Sequence, residues 1–383
     1  MKNTILKPSL LIILALSTIP GISCRGNTPV PDALEYIFES GTEGYACYRI
    51  PAIVTTTDGI ILAFAEARKN GCSDTGDIDL VMKRSRDQGK TWSRLQVIWD
   101  DEANVCGNPA PVVDQVTGAI HLLATWNLGK DHEREIIDEE SRDTRRVFVM
   151  RSDDHGTTWT TAREITTSVK KENWTWYATG PCHGIQMRTG DFKGRLVVPC
   201  DHIEAGTKKY FSHTIHSDDH GQSWELGGIS PQDQVNECTV AEITGGQLML
   251  NMRNYDRKQK ARKVAYSADG GESWSDIASD TALIEPICQA SLLMLHDGKP
   301  CLLFLNPADE NKRRKMTLKT STDEGRTWTG ALILHQGPSA YSDLTRLANG
   351  DIGTLFEAGT DSPYQGIAFK AIPRSLIYPG GLD

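Results

Sequence analysis

The sequence predicts an all-β fold and, within that class, a six-bladed β-propeller with four-stranded antiparallel blades. An octapeptide of the pattern Ser-x-Asp-x-Gly-x-[Thr/Ser]-Trp occurs five times along the 383 residues. The copies begin at positions 85, 152, 217, 267 and 321, so their spacings are 67, 65, 50 and 54 residues. Strand-like segments fill the intervals, and long helical periodicity is absent. Sequence repeats of this kind are typical of propellers and solenoids.

The composition of the octapeptide predicts a hairpin turn. Serine and aspartate side chains bond to nearby backbone amides and close tight turns. Glycine adopts the positive φ that such turns need, and the final Trp begins a strand and buries a large apolar surface. A calcium loop is the alternative, but the copies lack the regular acidic positions and the closing bidentate Glu of an EF-hand. We therefore expect structural turns that hold no metal ion.

The propeller is expected to span residues 35–383. Short segments of alternating or β-branched residues, bounded by Gly, Asp or Asn, recur throughout this span; examples are GIILAFAEA, DIDLVMKRS, RLVVPCDH and PCLLFLN. The last blade, near residues 333–372, has no octapeptide. Because the closing blade of a propeller often combines both ends of the chain, we expect one of its strands to come from residues 35–40.

The N-terminal segment is predicted to direct export and to lie outside the fold. Residues 1–23 combine an N-terminal positive charge with a short apolar stretch, which is the pattern of a secretory signal peptide. The tripeptide ending at Cys24 resembles a bacterial lipobox, so Cys24 is expected to carry a lipid and residues 24–34 to form a short tether. An ordinary signal peptide cleaved nearby is the alternative. We expect a lipoprotein of the periplasm, outer membrane or cell surface, or otherwise a secreted protein.

The net charge of −9 excludes nucleic-acid binding through bulk electrostatics. An anionic ligand would therefore need positive charge gathered in one pocket. Of the nine cysteines, the eight beyond Cys24 show no CxxC or other metal-binding spacing. Export permits disulfides among them, and the sequence leaves their pairing open.

A series of ordered motifs carries a resemblance to a known family. The sequences YRIP, AFAEAR and SDTGDIDLVMKRS precede the first octapeptide. CGNPAPVVD, GIQM, NECTVAEI, LNMR, CQASLL and SAYSDL follow in order, and the motifs cover essentially all of the chain beyond the export segment. Together they resemble the bacterial exo-α-sialidases, also called neuraminidases. The resemblance implies a six-bladed propeller with the site at the centre of one face and the octapeptides, the Asp boxes of that family, on the rim.

The resemblance also implies three arginines that bind the carboxylate of sialic acid. Arg49 of YRIP and Arg253 of LNMR match the first two. The third lies in NKRRKM, where we prefer Arg313 to Arg314 from its distance to the fifth octapeptide, and adjacent strand residues face opposite ways. Guanidinium groups suit this task because they stay charged and donate paired hydrogen bonds to a carboxylate. Arg68 of AFAEAR is expected to face the sugar near its O4.

Three further residues match the chemistry of that family. Tyr341 of SAYSDL matches the nucleophile and Glu237 of NECTVAEI its basic partner, since a phenol needs a base to react near neutral pH. A neutral phenol avoids the repulsion that a carboxylate nucleophile would meet at an anomeric carbon bearing a carboxylate, and sialidases are a known tyrosine exception among glycosidases. Asp74 matches the acid that protonates the leaving oxygen and the base that then activates water, with retention of configuration. Taken singly, each residue has an ordinary structural alternative in a turn or strand.

Some features have more than one interpretation. Residues 131–146 (DHEREIIDEESRDTRR) are predicted to form a solvated insertion loop in the second blade, with a role in substrate binding as the alternative. Trp174, Trp176 and Tyr177 either line the site or belong to the core, and Cys182 stands where many relatives have glycine, which leaves the local loop shape open. The counter-charge of the arginines is expected from one of three acidic residues: Glu66, Asp77 or Asp79.

The sequence thus predicts an exported exo-α-sialidase that hydrolyses terminal α-linked sialic acids of glycoproteins, glycolipids and oligosaccharides. We expect a monomer that needs no cofactor, metal or nucleic-acid partner and that attaches to a membrane only through a lipid on Cys24. The alternatives are a trans-sialidase of the same fold and a non-catalytic, glycan-binding propeller. The Tyr341–Glu237 pair and Asp74 distinguish the last of these, because a binding module needs no nucleophile.

Overall fold

The computed structural model describes Met1, residues 34–296 and residues 298–378. The described part of the chain is all-β, as the sequence predicts, with 24 strands. The first twelve are β1 Tyr36–Glu39, β2 Cys47–Thr55, β3 Ile61–Arg68, β4 Ile78–Ser85, β5 Gln96–Trp99, β6 Val105–Val113, β7 Ile120–Asn127, β8 Arg146–Ser152, β9 Arg163–Glu164, β10 Trp174–Thr179, β11 Ile185–Gln186 and β12 Leu196–Glu204. The others are β13 Tyr210–Ser217, β14 Glu225–Ile229, β15 Val235–Ile243, β16 Gln247–Asn254, β17 Ala261–Ser267, β18 Ala278–Ile284, β19 Ser291–Leu295, β20 Cys301–Pro307, β21 Arg314–Ser321, β22 Gly330–Arg346, β23 Ile352–Ala358 and β24 Gly366–Ile372.

Helical structure is confined to short connections. The helices are α1 Glu133–Ile137, α2 Thr166–Val169 and α3 Arg374–Ile377, and residues Thr244–Gly246 form one 3-10 turn. None of the helices in the described ranges is long and apolar enough to cross a membrane. The predicted signal peptide and the predicted lipid-bearing Cys24 lie outside the described residues.

The strands form four hydrogen-bonded sheets. The first has the order β2-β3-β4-β6-β7-β8-β9, with β5 on β4, and its two halves are joined at one parallel pair, Ile78 with Val105. The second has the order β10-β12-β13-β14 with β11 on β12, and the third is β15-β16-β17-β18. The fourth has the order β1-β24-β23-β22-β21-β20-β19. Its 17-residue strand β22 pairs with β21 along its first half and with β23 along its second half.

Strand β1, at the N-terminal end of the described body, completes the sheet formed by the C-terminal strands. It runs antiparallel to β24, with Tyr36 opposite Ala368 and Glu39 opposite Gly366. This pairing matches the expectation that residues 35–40 provide a strand of the closing blade. Both ends of the described body therefore meet in one sheet.

Several strands are buried on both faces over most or all of their length. Every residue of β6 and β15 is buried, and so is every residue of β2 except Thr55. Such strands bury both faces because neighbouring sheets pack against them. Two of them also carry polar residues of the site described below, Arg49 on β2 and Glu237 on β15.

The five octapeptides form turns with one hydrogen-bonding pattern, shown here for the second copy. The hydroxyl of Ser152 accepts a hydrogen bond from Gly156 N at 2.9 Å and donates one to Asp154 Oδ1 at 2.9 Å. Asp154 also accepts from Thr158 N at 2.8 Å and Thr158 Oγ1 at 2.6 Å. The same four bonds recur in the other copies. The predicted turn chemistry is thus what closes each box.

The box glycine is required for its conformation and for space. Gly221 has a φ of 78°, and a Cβ there would lie 2.2 Å from a ring atom of His121. Of the five box tryptophans, Trp224 and Trp274 are buried, with exposed fractions of 1% and 8%. The other three, Trp92, Trp159 and Trp328, are partly buried against the core. All five boxes therefore form the same turn, but their tryptophans are buried against the sheets to different extents.

We predict that the box carboxylates contribute stability that acid removes. Hydrogen bonds from the side chain and backbone of Thr158 lower the pKa of Asp154 to about 2. Because this pKa is depressed on folding, its contribution is present above the unfolded pKa of about 4 and is lost as the pH falls towards 2. Asp154→Asn should lower the free energy of unfolding by about 1 kcal/mol at pH 7 and by less at pH 3. Urea unfolding at the two pH values measures this.

The matched control is Asp153→Asn in the same turn. Asp153 is largely exposed and pairs only with the exposed Arg151, so it should change stability little. Equal losses for the two variants, or a loss in Asp154→Asn that does not depend on pH, would contradict the turn assignment.

Candidate active site

A cavity of about 220 Å³ contains all seven residues that the sequence assigned to the site. These residues are Arg49, Arg68, Asp74, Glu237, Arg253, Arg313 and Tyr341. They come from five strands and two intervening loops, with sequence separations of up to about 290 residues. The fold thus brings the predicted groups into one polar cavity.

Tyr341 and Glu237 form a direct hydrogen-bonded pair in this cavity. The hydroxyl of Tyr341 donates to Glu237 Oε1 at 2.5 Å. Arg253 Nη1 donates to the other oxygen of Glu237 at 2.5 Å and to the Tyr341 hydroxyl at 3.0 Å. Tyr341 is 6% exposed and Glu237 is 8% exposed. A buried phenol is therefore held against a carboxylate that is placed to accept its proton.

Tyr341 is a neutral phenol in this arrangement. Burial raises the pKa of Tyr341 well above that of a free phenol, and the negative charge of Glu237 raises it further. The positive charges of Arg253, Arg313 and Arg49 act in the opposite direction but do not reverse the shift. Ionisation of Tyr341 would therefore have to occur together with proton transfer to Glu237.

Arg49 is fixed by a glutamate that the sequence did not single out. Glu357, on β23 and fully buried, accepts from Arg49 Nε at 3.0 Å and from Arg49 Nη2 at 3.4 Å. The same carboxylate accepts from Ile50 N at 2.9 Å and from Tyr341 N at 3.1 Å. Glu357 therefore orients one arginine of the cavity and the backbone of the tyrosine at once.

Asp74 lies at the mouth of the cavity on the irregular loop between β3 and β4. Its Oδ1 is 2.8 Å from Arg68 Nη1 and 3.4 Å from Arg49 Nη1. Its side chain is 59% exposed. Partial desolvation at the cavity raises the pKa of Asp74, but the charges of Arg68 and Arg49 outweigh this and hold the pKa below its usual range. Asp74 is thus ionised and paired when the cavity contains no ligand.

The expected counter-charges are distributed differently from the sequence interpretation. Glu66 pairs with Arg68, with Oε2 accepting from Nη2 at 2.5 Å. Asp77 and Asp79 instead pair with Lys69, which does not line the cavity. Of the three acidic residues that the sequence offered, only Glu66 pairs with an arginine of the cavity, and that arginine is Arg68. Arg49 and Arg253 pair instead with Glu357 and Glu237.

The structure separates the adjacent Arg313 and Arg314. Arg313 lines the cavity and donates to the hydroxyl of Tyr364 at 3.1 Å and to the carbonyl of Ile287 at 3.1 Å. Arg314 instead points to Asp309, with Nε 2.7 Å from Oδ2, and its side chain is 46% exposed. The pairing of β21 with β22 is irregular between Arg314 and Met316, and Lys315, which lies between these two residues, has a φ of 61°.

We predict that the two arginines differ sharply when each is removed. Arg313→Ala removes a cation from the cavity and should lower kcat/KM by about 30-fold or more, since a charged contact in a buried site is worth about 2 kcal/mol or more. Arg314→Ala removes an exposed ion pair and should change kcat/KM less than about threefold. Steady-state kinetics on a sialoside, the substrate that the sequence resemblance implies, compares them. A larger loss of kcat/KM in Arg314→Ala than in Arg313→Ala would show that Arg314, and not Arg313, is the arginine of the site.

Part of the charged stretch at 131–146 reaches the cavity, which corrects the expectation of a purely solvated loop. Glu133 begins α1 and Arg145 precedes β8, and both line the cavity. Arg145 is 3% exposed and lies over the ring of Trp176, 4.0 Å from its centroid. Its guanidinium donates to the side chains of Asn127 and Asn108. A run of many charged residues is typical of a solvated loop, so the sequence did not indicate that Arg145 is buried.

Asp201 is a further cavity residue that the sequence did not reveal. It lies on β12 with an exposed fraction of 1%, and its Oδ1 has no hydrogen-bond partner among the described residues. Burial raises the pKa of Asp201 well above its usual range, and the charge of Glu237 raises it further. An acidic residue directly after the apolar run LVVPC was the available signal.

The aromatic cluster is divided between the cavity and the core. Trp176 lines the cavity, whereas Trp174 and Tyr177 are 3% and 0% exposed in the core. Cys182 is fully buried and its thiol lies 3.6 Å from the carbonyl of Cys238. Among the described residues, no group of three or more His, Cys, Asp or Glu is arranged to hold a metal ion.

The arrangement has the features of a glycosidase for a sugar that carries a carboxylate. Five arginines of the cavity provide fixed positive charge for an anion, and a phenol is held against a carboxylate, which is the kind of pair that activates a phenol as a nucleophile. A second carboxylate, Asp74, lines the same cavity with a side chain that is 59% exposed. Tyrosine in place of a second carboxylate nucleophile is the known departure of sialidases from other glycosidases.

Comparison with known proteins agrees with this class. The model of the BNR repeat-like domain matches residues 59–354. The "Sialidase" of Micromonospora viridifaciens is 31% identical over an alignment of 377 residues, which covers 92% of this chain and 57% of that protein. The "Exo-alpha-sialidase" of Aspergillus fumigatus is 30% identical over 88% of this chain and 86% of its own length. The solved structure of the "Hadza microbial sialidase Hz136" matches with a TM-score of 0.81 and 33% identity, over 90% of this chain and 69% of that one.

The chain therefore belongs to the sialidase family. It spans a little over half the length of the Micromonospora protein.

Proposed function

We propose that the protein is a retaining exo-α-sialidase that hydrolyses terminal α-linked sialic acids of glycoproteins, glycolipids and oligosaccharides. The observation that carries the proposal is the 2.5 Å hydrogen bond from Tyr341 to Glu237 inside a cavity whose five arginines include Arg49, Arg253 and Arg313. A glycan-binding module would need the arginines but would gain nothing from a phenol held against a base.

In the first step, Arg49, Arg253 and Arg313 bind the carboxylate of the sugar and place its anomeric carbon over Tyr341. The phenol oxygen attacks that carbon while Glu237 takes the phenolic proton, and Asp74 gives a proton to the departing glycosidic oxygen. The bond from the anomeric carbon to the leaving oxygen breaks as the bond to Tyr341 forms. Arg253, which donates to both Glu237 and Tyr341, keeps the pair aligned.

In the second step, water enters from the side that the leaving group has vacated. Asp74 takes a proton from the water as its oxygen attacks the anomeric carbon, and the bond to Tyr341 breaks. Glu237 returns its proton to the phenol oxygen. Two displacements at one carbon give retention of configuration.

The ion pairs of Asp74 suggest how substrate prepares the acid. Without ligand, Arg68 and Arg49 keep Asp74 ionised. A substrate carboxylate that binds Arg49 neutralises part of this positive charge, which raises the pKa of Asp74 and favours the protonated form that the first step requires. Binding of the substrate carboxylate by Arg49 and protonation of Asp74 are thereby coupled.

The sheet arrangement supports a six-bladed propeller for this site. When the first sheet is divided at its single parallel pair and the fourth at the midpoint of β22, the four sheets give six groups, each with four main antiparallel strands. β1 would close the last blade. The cavity residues come from strands or loops of all these groups, which suits a site at the centre of one face.

Export of the protein is part of the proposal. The N-terminal charge and apolar pattern of residues 1–23 support a signal peptide, and Cys24 supports a lipid anchor. A disulfide between Cys47 and Cys72 suits an oxidising compartment. A monomer is expected to suffice, because the described chain supplies every group used in the mechanism above.

Product identification by proton NMR tests the function. With sialyllactose as substrate, free sialic acid should appear first as the α-anomer and then mutarotate. An anhydro sugar, or a sialylated acceptor as the main product, would assign the protein to the trans-sialidases. Binding of sialyllactose with no product would assign a glycan-binding module.

A further inference from the structure

A disulfide joins the two segments that carry Arg49 and Asp74. Cys47 is the first residue of β2 and is fully buried, and Cys72 lies in the loop of residues 69–77 between β3 and β4. The Cα atoms of the two cysteines are 5.3 Å apart. Arg49 follows Cys47 by two residues, and Asp74 follows Cys72 by two residues. The cross-link is therefore adjacent to both members of one ion pair in the cavity.

The loop that carries Asp74 has no apolar anchor of its own. None of residues 69–77 is buried, and none of them lies in a helix or strand. Two of its glycines, Gly71 and Gly76, have positive φ and no heavy atom within 4 Å of the position of a Cβ. Few buried contacts and an exposed backbone are the features of segments that open at low free-energy cost.

The noncovalent contacts of the loop are polar. Asp74 pairs with the buried Arg68 and Arg49, and the other contacts lie mainly at the base of the loop or on exposed atoms. Lys69 N donates to the carbonyl of Asp77 at 3.1 Å, and Arg68 Nη1 donates to the carbonyl of Cys72 at 2.7 Å. The hydroxyl of Thr75 is 3.3 Å from His132 Nδ1 across an exposed gap. The disulfide is thus the one covalent restraint that ties this part of the loop to the buried strand β2.

We propose that the Cys47–Cys72 disulfide is a positioning element for Asp74 and that the acid step of the reaction depends on it. This inference rests on the proposed function. With the cross-link intact, Asp74 is held beside Arg49 and Arg68, where it faces the leaving group. Without it, the loop gains conformations in which Asp74 is out of hydrogen-bond reach of the glycosidic oxygen, and misplacement by about 1 Å can cost about 100-fold in rate. The pair Tyr341–Glu237 is held by other elements and stays assembled.

The Cys47–Cys72 disulfide can be broken by reduction with a dithiol. A dithiol reductant supplies two electrons and two protons, the bond between the two sulfur atoms breaks, and Cys47 and Cys72 become thiols while the reductant forms its own disulfide. Cys72 is exposed, so the reductant can reach it. The other six cysteines of the described chain are buried and form no disulfide, so reduction acts on one bond among the described residues.

The loss should depend on the leaving group, which separates a positioning role from a general structural one. A sialyl galactoside leaves as an alcohol and needs a proton from Asp74. A 4-methylumbelliferyl sialoside leaves as an acidic phenol and needs little help from an acid. The double variant Cys47→Ala/Cys72→Ala should lose about 10- to 100-fold in kcat/KM on sialyllactose and less than about threefold in kcat/KM on the aryl sialoside. The comparison uses kcat/KM because this constant reports the steps up to the covalent intermediate, where the leaving group departs, and not the later attack of water, in which Asp74 serves both substrates alike.

Three controls make the test decisive. Asp74→Asn should give the same leaving-group pattern with a larger loss, and Cys106→Ala, which removes a buried free thiol, should not show the pattern. Wild-type protein treated with dithiothreitol should reproduce the double variant and recover on reoxidation, which keeps the test valid if the variant folds poorly. Equal losses on both substrates, or full activity on sialyllactose after complete reduction, would overturn the positioning role. Wild-type protein that cleaves neither substrate would instead overturn the proposed function.

Discussion

Tyr341→Phe is expected to lower kcat by at least about 1,000-fold while the protein remains folded. The change removes only the hydroxyl that donates to Glu237 at 2.5 Å and accepts from Arg253 at 3.0 Å. Loss of a nucleophile in other hydrolases costs three or more orders of magnitude, because the remaining groups can bind substrate but form no covalent intermediate. Steady-state kinetics on an aryl sialoside measures the loss, and thermal unfolding confirms the fold.

The matched control is Tyr364→Phe in the same cavity. The hydroxyl of Tyr364 accepts from Arg313 at 3.1 Å, and its ring lies 4.2 Å from the guanidinium carbon of Arg49. Its removal deletes one hydrogen bond to an arginine and should cost no more than about 10-fold in kcat/KM. If Tyr341→Phe costs no more than Tyr364→Phe, the nucleophile has been assigned to the wrong residue.

Glu357→Ala is expected to lower the free energy of unfolding by about 3 to 5 kcal/mol. Removing this fully buried carboxylate leaves the buried Arg49 with only the longer ion pair to the exposed Asp74, and such broken buried pairs are strongly destabilising. It also leaves the amides of Ile50 and Tyr341 without their acceptor. Urea unfolding measures the change, and kcat/KM should fall with it because Arg49 and Tyr341 lose a shared support.

Two control variants test this prediction. Glu357→Gln keeps an oxygen acceptor and the side-chain volume, so its loss of stability should be smaller than that of Glu357→Ala. Glu164→Ala breaks an exposed pair with Arg146 and should cost less than about 1 kcal/mol. A cost for Glu357→Ala as small as that of Glu164→Ala would show that Glu357 does not support the site.

The all-β class and the turns were predictable because their causes are local. Each octapeptide contains its own donors and acceptors, so Ser152 and Asp154 close their turn with partners at most four residues away. The motif residues Arg49, Glu237 and Tyr341 were found through family resemblance, and the structure places them together in the cavity. Local chemistry and ordered motifs were sufficient for these features.

The supporting residues could not be predicted because their partners are distant in sequence. Glu357 contacts Arg49 across 308 positions, and no spacing in the sequence marks that pair. Arg145 lies in a run of charges that is typical of a solvated loop, yet it is buried over Trp176. The pairing of Cys47 with Cys72 is one of many that eight cysteines allow. Only the assembled fold identifies these contacts.

Trapping of the covalent intermediate tests the central claim most directly. In 2,3-difluorosialic acid, the fluorine at C3 slows both displacements by destabilising their positively charged transition states, while fluoride at C2 leaves without an acid, so a sugar bound to the nucleophile should accumulate. Intact mass measurement followed by peptide mapping should find one sialyl adduct on Tyr341 of the wild-type protein and none on Tyr341→Phe. An adduct on Glu237 or Asp74, or turnover of an aryl sialoside by Tyr341→Phe at the wild-type rate, would contradict the account.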